Sequence, residues 1–229
     1  MELCVIIPAK NEVLTLTETI EKINEKLKNQ VSFNFFVIDD YSDDGTIDLL
    51  GNLALSYNNF NYVSNEWGGG VGNAIRYGLS KWQGDIAAIC MADGSDAPED
   101  ILFSYQKICF EGYDCVFGSR FLKAGQVKEY PLVKLILNRI FNTVVKYIFN
   151  FKYNDFTNIF KVYHRRAIEI IAPIESTGFS IGLEMSVKSF KSNLKIAVIP
   201  ISWSQRTAGV SKLRLIENFR LYFSTLLKL

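Results

Sequence analysis

Apolar residues run unbroken from Leu3 to Pro8, the pattern of a parallel strand buried on both faces. Leu16, Ile20, Ile23 and Leu27 then recur at helical spacing and predict a helix within 12–28. The alternation continues. A strand over Phe33–Ile38 ends in Asp39-Asp40, and a helical segment begins near Thr46. A weaker strand over Phe60–Ser64 precedes Gly68-Gly69-Gly70-Val71-Gly72 and a helix reaching about Trp82. Asp85–Met91 reads as another buried strand, Pro98 can open the next helix, and Asp114–Gly118 is a further strand. Strands alternating with helices in this way predict an α/β fold with a parallel, doubly wound sheet and right-handed crossovers.

In such sheets ligands bind beyond the carboxyl ends of the strands. The polar residues collect there: Lys10-Asn11-Glu12, Asp39-Asp40, Asp93 to Asp96 and Ser119-Arg120. Core formation accounts for the strands but not for charged groups at four strand ends, so that edge is the expected site.

The second half is patterned differently. Residues 132–151 carry Lys134, Asn138, Asn142, Lys146 and Asn150 at a strict spacing of four, a narrow polar stripe on an otherwise apolar helix. Two readings stand: a helix packed on the sheet, or an interfacial helix lying in a membrane surface. The run Leu213–Leu229 is amphipathic too. No stretch reaches the roughly 18 uncharged apolar residues of a spanning helix. Met1-Glu2-Leu3 leads directly into the first strand, with no leader expected. No repeat or linker divides the chain, and 1–229 is expected to be one domain.

Charge sharpens this. The net charge of +1 hides a division: residues 1–119 hold 18 acidic and 7 basic side chains, residues 120–229 hold 6 and 18. An acidic half (−11) beside a basic half (+12) suggests a cation-binding site on one and an anionic partner on the other. Nucleic acid is not the expected partner. His164 is the one histidine, which excludes His-rich metal sites and paired-histidine catalysis. Cys4, Cys90, Cys109 and Cys115 show no C-x-x-C spacing and read as reduced thiols in a cytoplasmic protein.

Pro8-Ala9-Lys10-Asn11-Glu12 after the first strand is not G-x-G-x-x-G, which argues against a nicotinamide dehydrogenase, and Gly68–Gly72 lacks the Gly-Lys-Ser/Thr of a phosphate-binding P-loop. Met91-Ala92-Asp93-Gly94-Ser95-Asp96 is more informative. Two carboxylates three residues apart on a turn can converge on Mg²⁺ or Mn²⁺, which take oxygen ligands and keep waters and substrate phosphates. Helix capping by Asp96 is the plainer alternative for that residue.

These stretches resemble a known family. VIIPAKNE (5–12), VIDDYSDDGT (37–46), GGGVGNAIRYGL (68–79), MADGSDAPED (91–100), FGSRF (117–121), DFTNIFKVYHRRAI (155–168), LEMSVKS (183–189) and PISWSQRTAGVSKL (200–213) follow in order. Together they look like family 2 GT-A glycosyltransferases, especially the dolichol-phosphate mannose synthase group. The resemblance implies a GT-A (Rossmann-like) mostly parallel sheet flanked by helices, with C-terminal amphipathic helices, and inverting transfer from a GDP- or UDP-linked sugar to a polyprenyl phosphate. It places the enzyme peripherally on a membrane, with an anchoring subunit as a possible partner. It assigns nucleotide contacts to Pro8, Lys10, Glu12, Ile38, Asp40 and Ala92, and metal and diphosphate binding to Asp93. Arg120 would contact substrate, while Arg206, Ser211 and Lys212 would close over the phosphates. The family's Asp-Ala-Asp has Met91 at its first position here, and a thioether cannot bind a hard cation, so Asp96 or Ser95 is expected to supply the missing oxygen.

A phosphate acceptor is already anionic and needs no general base; catalysis then rests on positioning and charge stabilisation. A hydroxyl acceptor, the alternative, would require a carboxylate base, with Asp155 and Glu184 as candidates. A non-catalytic nucleotide-sugar-binding subunit is a third reading, prompted by Met91.

Overall fold

Seven strands form the central sheet in the spatial order β3-β2-β1-β4-β7-β5-β8: β1 (Leu3–Ala9), β2 (Phe33–Asp39), β3 (Phe60–Ser64), β4 (Ile86–Ile89), β5 (Cys115–Ser119), β7 (Lys161–His164) and β8 (Ile196–Pro200). Two short strands, β6 (Gln126–Lys128) and β9 (Ser202–Ser204), pair in parallel as a separate ribbon. The structure, a computed structural model, describes residues 1–123, 125–128, 132–204 and 215–229. Arg206, Ser211 and Lys212, expected to contact phosphates, lie outside the described residues.

The helices are α1 (Leu16–Leu27), α2 (Thr46–Ser56), α3 (Val71–Lys81), α4 (Pro98–Glu111), α5 (Leu132–Phe149), α6 (Arg165–Ile171), α7 (Ile181–Lys191) and α8 (Leu215–Lys228). Side-chain alternation along the strands divides the core. Leu3, Val5 and Ile7 of β1 pack with Leu16, Ile20, Leu50 and Ile101 on one face. Cys4 and Ile6 pack with Ile75, Val145, Ile168 and Leu183 on the other. This is the two-faced burial that continuous apolar runs demand. Cys4, Cys90 and Cys115 are buried free thiols.

The sheet is mostly parallel, as expected, with one exception: β7 runs antiparallel to both β4 and β5. Four residues long, with the fully buried Lys161 at its start, it has no apolar run to announce it. β7 and β8 come from the basic half yet lie beside β4 and β5 of the acidic half, so both halves contribute to one sheet.

The polar stripe of α5 was open to two readings, and its placement bears on both. Its central members face inward: Asn142 is 1% exposed and donates to Asn138 Oδ1 (2.6 Å) and Thr157 Oγ1 (3.1 Å). Lys146 and Asn150, at its end, are exposed. Leu132, Val133, Ile136, Leu137, Ile140 and Val144 are exposed instead. The helix does pack on the sheet through Val145, but it turns an apolar face outward, the reverse of an ordinary surface helix. α8 adds exposed Phe223 and Leu227. Among the described residues no helix is long and apolar enough to cross a membrane.

Candidate active site

The carboxyl ends of β1, β2 and β4 bring the predicted residues together. β1 ends at Ala9, after which Lys10 is exposed and Asn11 takes a left-handed conformation (φ 52°). Asn11 knits two loops: its N–H donates to Ser42 Oγ (2.9 Å) and its amide donates to Asp43 Oδ1 (2.6 Å). Glu12 is buried, with its N–H donating to Thr46 Oγ1 (2.9 Å) and its carboxylate accepting from Thr15 (2.9 Å). Pro8 and Ile38 are buried as well, and Ile38 packs beneath α3 where Gly78 leaves room for it. The side chain of Ile38 therefore belongs to the core.

Asp40, expected at the nucleotide, holds the glycine-rich turn. Its carboxylate accepts from the Gly70 N–H (2.9 and 3.1 Å) and from Asn65 Nδ2 (3.0 Å), and it is 3% exposed. Gly70 (φ 127°) and Gly72 are pressed against the backbone of 176–178. A Cβ on Gly72 would stand 2.4 Å from the Ser176 carbonyl oxygen, and one on Gly70 2.5 Å from that of Thr177. Glu184 fixes the opposing segment by accepting from the N–H groups of Glu175 (2.9 Å) and Ser176 (2.7 Å) and pairing with Lys188 (2.7 Å). Burial pulls its carboxyl upward, but these partners hold it below the usual range. Asp39, next in the chain to Asp40, contrasts with it. Asp39 is 2% exposed, Oδ2 accepts from the Ser42 N–H (3.4 Å), and Oδ1 has no hydrogen-bond partner among the described residues. Asn65 carries no signal in the sequence, and a pair of adjacent aspartates gives no sign of which one the turn consumes.

The acidic turn after β4 is self-bonded. The Met91 N–H donates to Asp96 Oδ2 (2.9 Å), the Ser95 N–H donates to Asp93 Oδ1 (3.1 Å), and the Ala92 carbonyl accepts from Thr19 (3.1 Å). Asp96 therefore does not cap α4; the cap position is Ala97, without a side-chain bond. Desolvation first, then the charges of Asp93 and Asp100, push the Asp96 carboxyl up to about 7 against the pull of the Met91 N–H and Arg120. Like charges crowded on one turn fit a hard cation that completes its shell with diphosphate and water. Asp93 and Asp96 are the two carboxylates on that turn, and each accepts from its backbone. Ser95 is buried, and no cluster of three or more His, Cys, Asp or Glu converges among the described residues. β9 leans on the same turn: the Ser204 N–H donates to the Ser95 carbonyl (3.3 Å), and the Ser202 N–H to Asp100 Oδ2 (3.1 Å). Arg206 follows Ser204 by two residues.

Beyond β5, Arg120 is gripped by Asp155. The carboxylate accepts from Nε (2.9 Å), Nη2 (2.7 Å) and the Arg120 N–H (2.9 Å), with both residues buried. Such bidentate pairing fixes the plane of the guanidinium. Asp155 is 0% exposed, so in this structure it has no access to an acceptor hydroxyl. Lys161 adds a second buried cation; desolvation pushes it down to about 7 while Asp155 opposes that shift.

The sequence profile described as glycosyl transferase family 2 matches residues 4–171. A polyprenol monophosphomannose synthase from Mycolicibacterium smegmatis is 28% identical over 216 residues, covering 91% of this chain and 80% of that protein. An undecaprenyl-phosphate mannosyltransferase from Micrococcus luteus is 26% identical over 220 residues, covering 93% and 88%. In fold, the chain is similar to glucosyl-3-phosphoglycerate synthase from Mycobacterium tuberculosis, solved with Mn²⁺, UDP and glucosyl-3-phosphoglycerate. That likeness has a TM-score of 0.74 at 18% identity and covers 99% of this chain and 78% of that one.

Proposed function

The chain belongs to glycosyl transferase family 2, and on that premise we propose that it transfers a sugar from a GDP- or UDP-linked donor to a polyprenyl phosphate at a membrane surface. The observation that carries this reading is the outward apolar face of α5, with Ile136 57% and Ile140 56% exposed. A contiguous face of that kind marks an interaction surface. Lys134, Arg139 and Lys146 on the same helix suit anionic lipid headgroups. Relatives named for polyprenol and undecaprenyl phosphate add support.

The acidic half, 1–119, receives the nucleotide and the basic half, 120–229, the acceptor. Asp93 and Asp96 would hold Mg²⁺ or Mn²⁺, which would supply charge neutralisation to the leaving diphosphate. Lys10 lies exposed at the end of β1 within reach of the Gly69 turn. Asp155 holds the Arg120 fork rigid, so a phosphate oxygen meets a donor whose plane is already set. Arg206, Ser211 and Lys212 contribute further phosphate contacts. The acceptor oxygen attacks the anomeric carbon opposite the diphosphate, with inversion. An anionic phosphate requires no base, which accords with an Asp155 bound on both oxygens and a Glu184 committed to the 175–176 backbone.

The test is to offer GDP- and UDP-sugars with Mn²⁺ or Mg²⁺ and measure nucleoside diphosphate release with and without a polyprenyl phosphate. Release that depends on the lipid phosphate and falls at least a hundredfold in Asp93→Asn is the expected result. Equal turnover onto a free hydroxyl acceptor, with no lipid dependence, would overturn the reading.

A further inference from the structure

Tyr41 occupies a conformation that a bulky side chain rarely adopts. Its φ is +59°, in the left-handed region where Cβ crowds the following carbonyl. The residue is also 53% exposed, so core packing does not compensate for that strain. Strain of this kind persists where the surroundings enforce it, and it concentrates at ligand sites.

Three observations say what enforces it and where the ring lies. Tyr41 sits inside the turn closed by the Ser42 N–H on Asp39 Oδ2. The residues before it are both anchored, Asp40 by Gly70 and Asn65 and Asp39 by burial. The ring then lies over the glycine turn: the point where a Gly69 side chain would begin is 4.0 Å from Tyr41 Cδ2 and 4.0 Å from Lys10 Nζ. An aromatic face and an ammonium group thus border the same glycine at the carboxyl ends of β1 and β2. On that turn the buried Asp39 Oδ1 lacks a hydrogen-bond donor among the described residues. A planar group bearing N–H donors and attached to phosphates matches that set of neighbours.

We propose that Tyr41 is the platform on which the nucleobase of the sugar donor stacks. This rests on the nucleotide-sugar reading above and names a base-binding residue for it. Stacking on an aromatic ring is tolerant of base identity because every base has a π-face, so uracil and guanine would both use it. The left-handed backbone is then part of the site, since an extended conformation at 41 would carry the ring away from Gly69.

Calorimetric titration of UDP and GDP into the full chain with Mn²⁺ tests this with three variants. Tyr41→Gly and Tyr41→Asn both suit the left-handed backbone, so their Tm is expected to match or exceed that of wild type. Their affinity for both nucleotides is expected to fall about fivefold or more. Tyr41→Phe keeps the ring and is expected to bind within twofold of wild type. If the Gly and Asn variants bind as wild type does, the platform is overturned while the nucleotide reading stands. If wild type binds neither UDP nor GDP, the nucleotide reading itself fails and the platform with it.

Discussion

Replacing Asp155 with alanine strands a charge. Arg120, 8% exposed, loses the Asp155 acceptors of Nε, Nη2 and its backbone N–H at once. The buried Lys161 loses the carboxylate that offsets its desolvation. Removing one partner of a buried pair costs about 3–5 kcal/mol, because the remaining charge stays in a low-dielectric site without its counter-ion. For 229 residues, an unfolding entropy of about 2.1 cal/mol/K per residue amounts to about 0.5 kcal/mol/K. The expected fall in Tm is then roughly 6–10 °C, measured by calorimetry. The double variant Asp155→Ala/Lys161→Met removes the second cation and should recover part of that loss, which a cavity alone would not permit. Turnover should fall at least a hundredfold in both, since Arg120 is no longer held in plane. A Tm drop below about 2 °C in the single variant, or no recovery in the double, would refute the charge argument.

Three further outcomes are expected on the same physical grounds. Lys161 titrates near 7 when folded against 10.5 when unfolded, so above pH 7 the unfolded chain binds the extra proton. Stability should rise between pH 7 and 8.5 through this group, and Lys161→Met should flatten the rise in urea midpoints. Ile136→Glu/Ile140→Glu alters two exposed positions on α5; it should leave Tm within about 2 °C and abolish sedimentation with anionic vesicles. Gly72→Ala places a methyl group 2.4 Å from the Ser176 carbonyl, so it should lower stability by about 1–3 kcal/mol in urea unfolding and weaken nucleotide binding as the turn held by Asp40 shifts.

The sequence made the Rossmann-like half plain because its strands are buried on both faces, and an unbroken apolar run such as Leu3–Pro8 suits few environments besides the middle of a covered sheet. β7 was not legible, since a strand that begins at Lys161 and carries Tyr163 looks polar until the sheet closes around it. The acidic turn was found by residue type, but its bonding was not. Nothing in MADGSDAPED tells that Asp96 faces back to the Met91 N–H rather than forward to α4. Asp40 likewise belongs to the expected edge, and only the folded chain reveals that Gly70 and Asn65 occupy its carboxylate. Periodicity located the stripe on α5 without its direction, because four-residue spacing defines a face and not what that face meets.

That direction has a mechanical consequence. Thr157 Oγ1 accepts from Asn138 Nδ2 (3.0 Å), Asn142 Nδ2 (3.1 Å) and Arg120 Nη2 (3.4 Å). A hydroxyl oxygen has two lone pairs, so the acceptor is oversubscribed, and the arginine holds the longest of the three bonds. A helix drawn outward would release the oxygen to Arg120, and one pressed inward would take it back. The seating of α5 is therefore linked, through a single threonine, to the outer bond of a guanidinium whose plane Asp155 sets.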